Sequence, residues 1–181
     1  LVTATDYNSD RIALATMTGA GEVWLNVWDG SAWDTSVLAE TGTTGTIYPN
    51  LSVAFESSTG QALAVYGESG SSVIKYRTWD AMGGWSAEQS GPNLGALPNS
   101  MTLDAGSTGD NIILSVQDAN NDLHYVLWNG SSWSNSDLTS LDFVNETYWY
   151  GAAVAYEQVS GDAVLVWNGG NSSAGELRYK V

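Results

Sequence analysis

The chain has 181 residues, a formal charge of -15 from five Lys and Arg against twenty Asp and Glu, twenty Gly, nine Trp and no Cys. The charge sets up a field that repels DNA, RNA and anionic membranes, and without Cys there is neither a disulfide framework nor a thiolate metal site. No apolar run reaches the 18 or more residues of a membrane-spanning helix, so the expectation is one domain with no nucleic acid partner and no membrane insertion.

The first predicted elements are short and alternating: LVTATD (1–6), RIALATM (11–17) and EVWLNVW (22–28), followed by the turn DGS and then AWDTSVLAE (32–40). Period-two alternation with β-branched and aromatic residues, cut by Gly, Asn and Asp, is the pattern of strands joined by tight turns. The same order returns in LSVAFE (51–56), QALAVYG (61–67), VIKYRTW (73–79) and GWSAEQS (84–90). A third pass runs through MTLDA (101–105), NIILSVQ (111–117), LHYVLW (123–128) and SWSNSDLT (132–139). The fourth holds AAVAYE (152–157), DAVLVW (162–167) and ELRYKV (176–181), and no fourth strand is expected in it.

The repeat is sharpest at VWDGSAW (27–33), TWDAMGGW (78–85) and LWNGSSW (127–133), whose first tryptophans lie 79 − 28 = 51 and 128 − 79 = 49 residues apart. A fixed period of that length marks stacked supersecondary units. Four-stranded units of this size fit the blades of a β-propeller; an internally duplicated sandwich and a β-solenoid are the alternatives. We therefore expect an all-β array of four blades, about 1–50, 51–100, 101–150 and 151–181, forming one propeller domain or a propeller fragment. The acidic, Gly-, Ser-, Thr- and Asn-rich composition points to a secreted or cell-surface protein, and LVTATDYNSD reads as the start of a mature or excised segment.

Strands that end in Val-Tyr or its like, then run through a polar turn into W-[DN]-G-x-x-W, resemble the six-bladed fucose-lectin propellers of fungi and bacteria. The resemblance implies a propeller fold. In that family an Arg on the second strand and a Glu three residues before the tryptophan hold the sugar, beside a stacking aromatic ring. The Arg slots here hold Ala13, Ala64, Ile113 and Leu165, and the Glu slots hold Leu25, Tyr76, Tyr125 and Tyr179.

Six tryptophans sit at repeat positions: Trp28, Trp79 and Trp128, then Trp33, Trp85 and Trp133. Indoles of this kind either stack on sugar rings, leaving their N–H groups for hydroxyls, or pack blade against blade; the second of each pair is expected to be the more exposed. A carboxylate closes each first strand, at Asp6, Glu56, Asp104 and Glu157, and four such groups at one channel mouth would suit Ca²⁺. Two D-x-N-x-D turns, Asp6, Asn8, Asp10 and Asp118, Asn120, Asp122, have the oxygen-rich opening of Ca²⁺ loops, although Asn and Asp also favour turns for their own sake. Sequons for N-glycosylation occur at Asn50, Asn129, Asn145 and Asn171.

Lys75 with Arg77 and Arg178 with Lys180 alternate along third strands, His124 stands in the slot of Lys75, and all are expected to pair with surplus carboxylates. No nucleophile motif or phosphate loop accompanies the single His. The leading expectation is a non-catalytic extracellular module that needs no cofactor and binds glycans or a cell-surface protein. The alternatives are a structural subunit that associates with copies of itself in a filament, adhesin or sheath, and a glycoside-active enzyme using paired carboxylates.

Overall fold

The computed structural model describes residues 1–43, 50–134, 139–141, 152–169 and 176–181. Among these residues every regular element is a strand. Each sheet is a meander of sequential antiparallel strands. The first holds β1 (Val2–Thr5), β2 (Ile12–Met17), β3 (Val23–Trp28) and β4 (Val37–Glu40). The second holds β5 (Leu51–Phe55), β6 (Ala62–Tyr66) and β7 (Val73–Asp80), with β8 (Gly84–Trp85) and β9 (Gln89–Asn93) both paired to β7 as an interrupted outer strand. The third holds β10 (Pro98–Ala105), β11 (Ile112–Asp118), β12 (Leu123–Trp128) and β13 (Thr139–Leu141), and the fourth holds β14 (Ala152–Tyr156), β15 (Ala163–Gly169) and β16 (Glu176–Lys180).

The first strands of consecutive sheets lie side by side, β1 on β5, β5 on β10 and β10 on β14, so the sheets radiate as blades. The core therefore consists of seams between blades. One packs Ala13, Ala15, Leu25 and Val27 of blade 1 against Leu51, Val53, Tyr66 and Trp79 of blade 2. The next joins Leu63, Val65 and Tyr76 to Leu103, Leu114, Val126 and Trp128. The last joins Ile113 and Leu123 to Val154, Leu165 and Trp167. Leu25 and Leu63 are both fully buried, and burial of such a side chain contributes about 1.5–3 kcal/mol.

Burial follows a blade's place in the row. In blade 1, which packs against blade 2, β3 alternates buried and half-buried positions. In blades 2 and 3, covered on both faces, every residue of β6 and of β11 is buried. ALAVY is a continuous apolar run, as suits a strand covered on both faces, whereas IILSVQD buries Ser115, Gln117 and Asp118 along with its apolar residues.

The turns between first and second strands latch blade to blade. Asn8 Nδ2 donates to the Ser57 carbonyl at 2.6 Å, the Ser57 hydroxyl donates to the Gly106 carbonyl, and the Ser107 hydroxyl donates to the Gln158 carbonyl at 2.8 Å. Asp110 adds a second latch, accepting the amides of Ser58 and Thr59 at 3.2 and 3.0 Å. These bonds recur about one repeat apart and fix the rotation of each blade on the next.

Candidate functional site

Each tryptophan-rich turn is built alike. The third strand carries an indole at its end, or one residue before it in blade 2, and the residue after the indole, Asp29, Asp80 or Asn129, turns its side-chain oxygen back onto the amides two and three residues on. This Asx turn returns the chain so that Trp33, Trp85 and Trp133 pair with Trp28, Trp79 and Trp128. The amide donors lower the pKa of both Asp29 and Asp80, so these carboxylates remain ionised.

The first indole of a blade enters the seam with the preceding blade. Trp128 is 2 % exposed and donates from Nε1 to Glu56 Oε1 at 2.7 Å, while Thr59 holds the other oxygen of that carboxylate. Tyr76 meets Trp128 and Trp133 edge-on at 5.4 and 5.7 Å, and this aromatic cluster fills the seam between blades 2 and 3. Trp79 is 6 % exposed in the seam between blades 1 and 2. The second indole of each pair is the more exposed, Trp33 at 50 % and Trp85 and Trp133 half-buried.

Beside Trp79 the seam opens into a cleft of about 380 Å³, walled by Arg11, Val27, Asp29 and Asp34 from blade 1 and by Trp79 and Asp80 from blade 2. Arg11 precedes β2; its guanidinium lies 5.5 Å from the centre of the Trp79 ring and 3.6 Å from Asp6. Asp34 is set by the Val27 amide, which donates to its carboxylate at 2.6 Å. A cationic fork, carboxylate acceptors and an indole thus share one concave site made by two blades. Sequence reasoning missed Arg11; the signal that could have found it is its place two residues before Ala13, on the same face of the chain.

A second cleft of about 350 Å³ lies between blades 3 and 4, lined by Tyr125, Leu127, Tyr156, Asp162, Leu165 and Lys180. Lys180 Nζ sits 5.3 Å from the centre of the Tyr125 ring. Burial, then the nearby Asp104 carboxylate, pushes the Tyr156 hydroxyl pKa up. A third cavity of about 260 Å³ lies among the first strands, bordered by Thr3, Thr5, Tyr7, Val53 and Asp104.

The carboxylates expected to gather at one mouth are not brought together. In blades 1, 2 and 4 the residue after the first strand donates its amide to the residue before the second, as Asp6 to Arg11, Glu56 to Gln61 and Glu157 to Asp162; in blade 3 that residue is Gly106, bonded to Asn111. Asp104 therefore belongs to the row of Ala4, Ala54 and Ala155, and its Oδ2 accepts the Tyr156 amide at 2.7 Å. Burial raises the pKa of Asp104 and of Glu56. The pairing also corrects the second-strand slots, since the partners of Ala13 and Ile113 in blades 2 and 4 are Leu63 and Val164, one residue before Ala64 and Leu165.

The first aspartate of each D-x-N-x-D turn is held by the turn's own donors. Asp6 accepts the Asn8 amide and the Ser9 hydroxyl, and Asp118 accepts the amides of Asn120 and Asp122 and faces His124 Nε2 at 2.9 Å. Among the described residues no three His, Cys, Asp or Glu side chains come together to hold a metal. Of the cations, Lys75 pairs with Glu68 at 3.3 Å, and Arg77 donates to the Tyr66 hydroxyl and the Ser86 carbonyl. Asn50 is fully buried and Asn129 exposed, while Asn145 and Asn171 fall outside the described residues.

The architecture is thus that of consecutive β-propeller blades, and comparison with solved structures places it in the same fold as fucose-lectin propellers. A mutant of the Aleuria aurantia lectin in complex with Fucα1-6GlcNAc matches over 98 % of this chain and 56 % of its own, with a TM-score of 0.64 and 18 % identity. The Aleuria aurantia lectin described as a six-bladed propeller matches over the same 98 % and 56 %, with a TM-score of 0.60 and 17 % identity. SapL1 lectin in complex with α-methyl fucoside matches over 91 % and 54 %, with a TM-score of 0.59 and 18 % identity. The chain spans a little over half the length of these structures. No protein-family model and no curated protein sequence matches it.

Proposed function

We infer that this chain is a non-catalytic, saccharide-binding propeller segment of an extracellular protein, and that the cleft between blades 1 and 2 is a binding site. The observation that carries this reading is the meeting of Arg11, Asp29, Asp34 and Asp80 with the Trp79 indole in one cleft of about 380 Å³. Saccharides offer hydroxyls that donate to carboxylates and accept from a guanidinium. The surplus of carboxylates, with the net charge of -15, favours neutral glycans over acidic ones.

The acids also speak against glycoside hydrolysis, which needs one carboxyl group with a raised pKa beside the bond to be broken. Asp29 and Asp80 in the cleft are shifted downward. The two that are shifted upward, Glu56 and Asp104, lie in the blade seam and at the cavity among the first strands.

The test is a glycan-array screen followed by calorimetric titration, beginning with fucosides because solved neighbours of this fold hold them. Wild-type protein is expected to bind a neutral saccharide equally with Ca²⁺ and with a chelator. Arg11→Ala is expected to weaken binding about tenfold or more, since a hydrogen bond to a charged group contributes about 1.5–3 kcal/mol. Absence of binding, or equal binding by Arg11→Ala, would overturn the assignment.

A further inference from the structure

The exposed turn of blade 3 carries an amide that the fold does not use. Asn129 Oδ1 accepts the amides of Ser131 and Ser132 at 3.0 and 2.9 Å and their hydroxyls at 3.0 and 3.3 Å. Its Nδ2 donates to no described residue, and the side chain points from a hairpin tip into solvent. In blade 1 the same position is Asp29, whose carboxylate accepts the Ser31 amide and hydroxyl and the Ala32 amide, all at 2.8 Å. In blade 2 it is Asp80, which accepts the amides of Met82 and Gly83 at 2.8 and 2.7 Å.

The turn therefore requires a side-chain oxygen, and Asp supplies it as well as Asn. Local charge does not account for the exchange either. The Cβ of Asp110 stands against Gly130 as the Cβ of Asp10 stands against Gly30, 2.8 and 3.3 Å from where a glycine Cβ would be, so each turn has an aspartate beside it. What Asn129 adds, with Gly130 and Ser131, is a complete N-x-S sequon at an exposed turn.

We propose that Asn129 is an acceptor for an N-linked oligosaccharide. The donor is an oligosaccharide carried on a polyprenyl pyrophosphate. Nδ2 forms a bond to the anomeric carbon, the bond from that carbon to the pyrophosphate oxygen breaks, and the lipid pyrophosphate leaves with the electron pair. The proton lost from Nδ2 passes to a base of the transferase. The Ser131 hydroxyl, already donating to Oδ1, draws electron density from the amide carbonyl. Asn50 is closed to the same reaction: it is fully buried, its Nδ2 donates to Thr43 Oγ1 at 2.9 Å, and a Cβ on Gly67 would lie 2.2 Å from that nitrogen.

The experiment is secretion of the chain, behind a cleavable leader, from a eukaryotic host that glycosylates a co-secreted control protein. Peptide mapping by mass spectrometry is done before and after treatment with a peptide N-glycosidase. A glycan is expected on the peptide containing Asn129 and not on that containing Asn50. It is expected to disappear in Asn129→Asp, which preserves the turn, and in Ser131→Ala. A secreted chain whose Asn129 peptide carries no sugar overturns the proposal, whether Asn145 or Asn171 is modified instead or Asn129 has only been deamidated to Asp. This inference stands independently of saccharide binding in the cleft.

Discussion

The seams on the two sides of blade 2 are built from the same positions and end differently. Between blades 2 and 3, Tyr76 meets both indoles of the following blade, and the space is filled. Between blades 1 and 2 the slot of Tyr76 is held by Leu25, which is fully buried with Trp79 and Trp85 packed near it. An open cleft lies beside Trp79, with the Arg11 guanidinium over the ring. On the two sides of blade 2 the same scaffold thus makes a filled seam where Tyr76 faces the indoles and a concave polar site on the side where Leu25 stands in its slot. The glycan-binding reading belongs to the second kind.

The sharpest break of this contrast is Trp128→Ala. Truncating a buried Trp costs about 3–5 kcal/mol, and here it also strips Glu56 of its indole donor. Urea denaturation is expected to show that loss, with saccharide binding in the seam between blades 1 and 2 unaffected when measured below the transition.

Exchanging the deciding residues comes next. Tyr76→Leu removes two edge-to-face contacts, each contributing about 0.5–1.5 kcal/mol, and is expected to destabilise the protein by about 1–3 kcal/mol. The converse, Leu25→Tyr, overpacks a filled position at a cost of about 1–3 kcal/mol and is expected to weaken saccharide binding as the cleft narrows. Equal binding by Leu25→Tyr and wild type would break the link between this slot and the cleft.

Glu56 gives a smaller effect with a defined pH dependence. Burial raises its pKa in the folded state, so the folded protein holds this proton more tightly than the unfolded chain does. Its contribution is fully present below the ordinary glutamate pKa and is lost as pH rises through the raised folded value. Glu56→Gln keeps an oxygen for Trp128 Nε1 and abolishes the titration. Its stability relative to wild type is therefore expected to rise across that window and level off above it, read from urea midpoints at several pH values.

The smallest change is Asp80→Asn. The turn at Asn129 makes the same bonds with an amide oxygen, so a shift within about 0.5 kcal/mol is expected, as for surface substitutions generally. A larger loss would mean that the Asp80 carboxylate does more than close its turn.

The strands, their order and the blade period were legible because alternation, tight-turn residues and the recurring W-[DN]-x tryptophan turns are local features. Asp104 was misplaced by two residues because it is the acid nearest the end of MTLDA, and only the pairing of β10 with β11 fixes its row. The acidic turns could be read as simple turns or as cation loops, since an Asx turn and a Ca²⁺ loop draw on the same residues; the structure adds that the first aspartate of each closes its own turn.

The sequence by itself determined a repeated all-β chain with a strongly acidic surface and a tryptophan turn in each of its first three units, because each of these depends on composition or on neighbours a few residues apart. Only the tertiary structure decided which indoles are seam and which are surface, which sequon is open, and that Arg11 meets Trp79. Those outcomes depend on how one blade rotates onto the next, and contacts between residues some 50 to 70 positions apart leave no periodic mark on the chain.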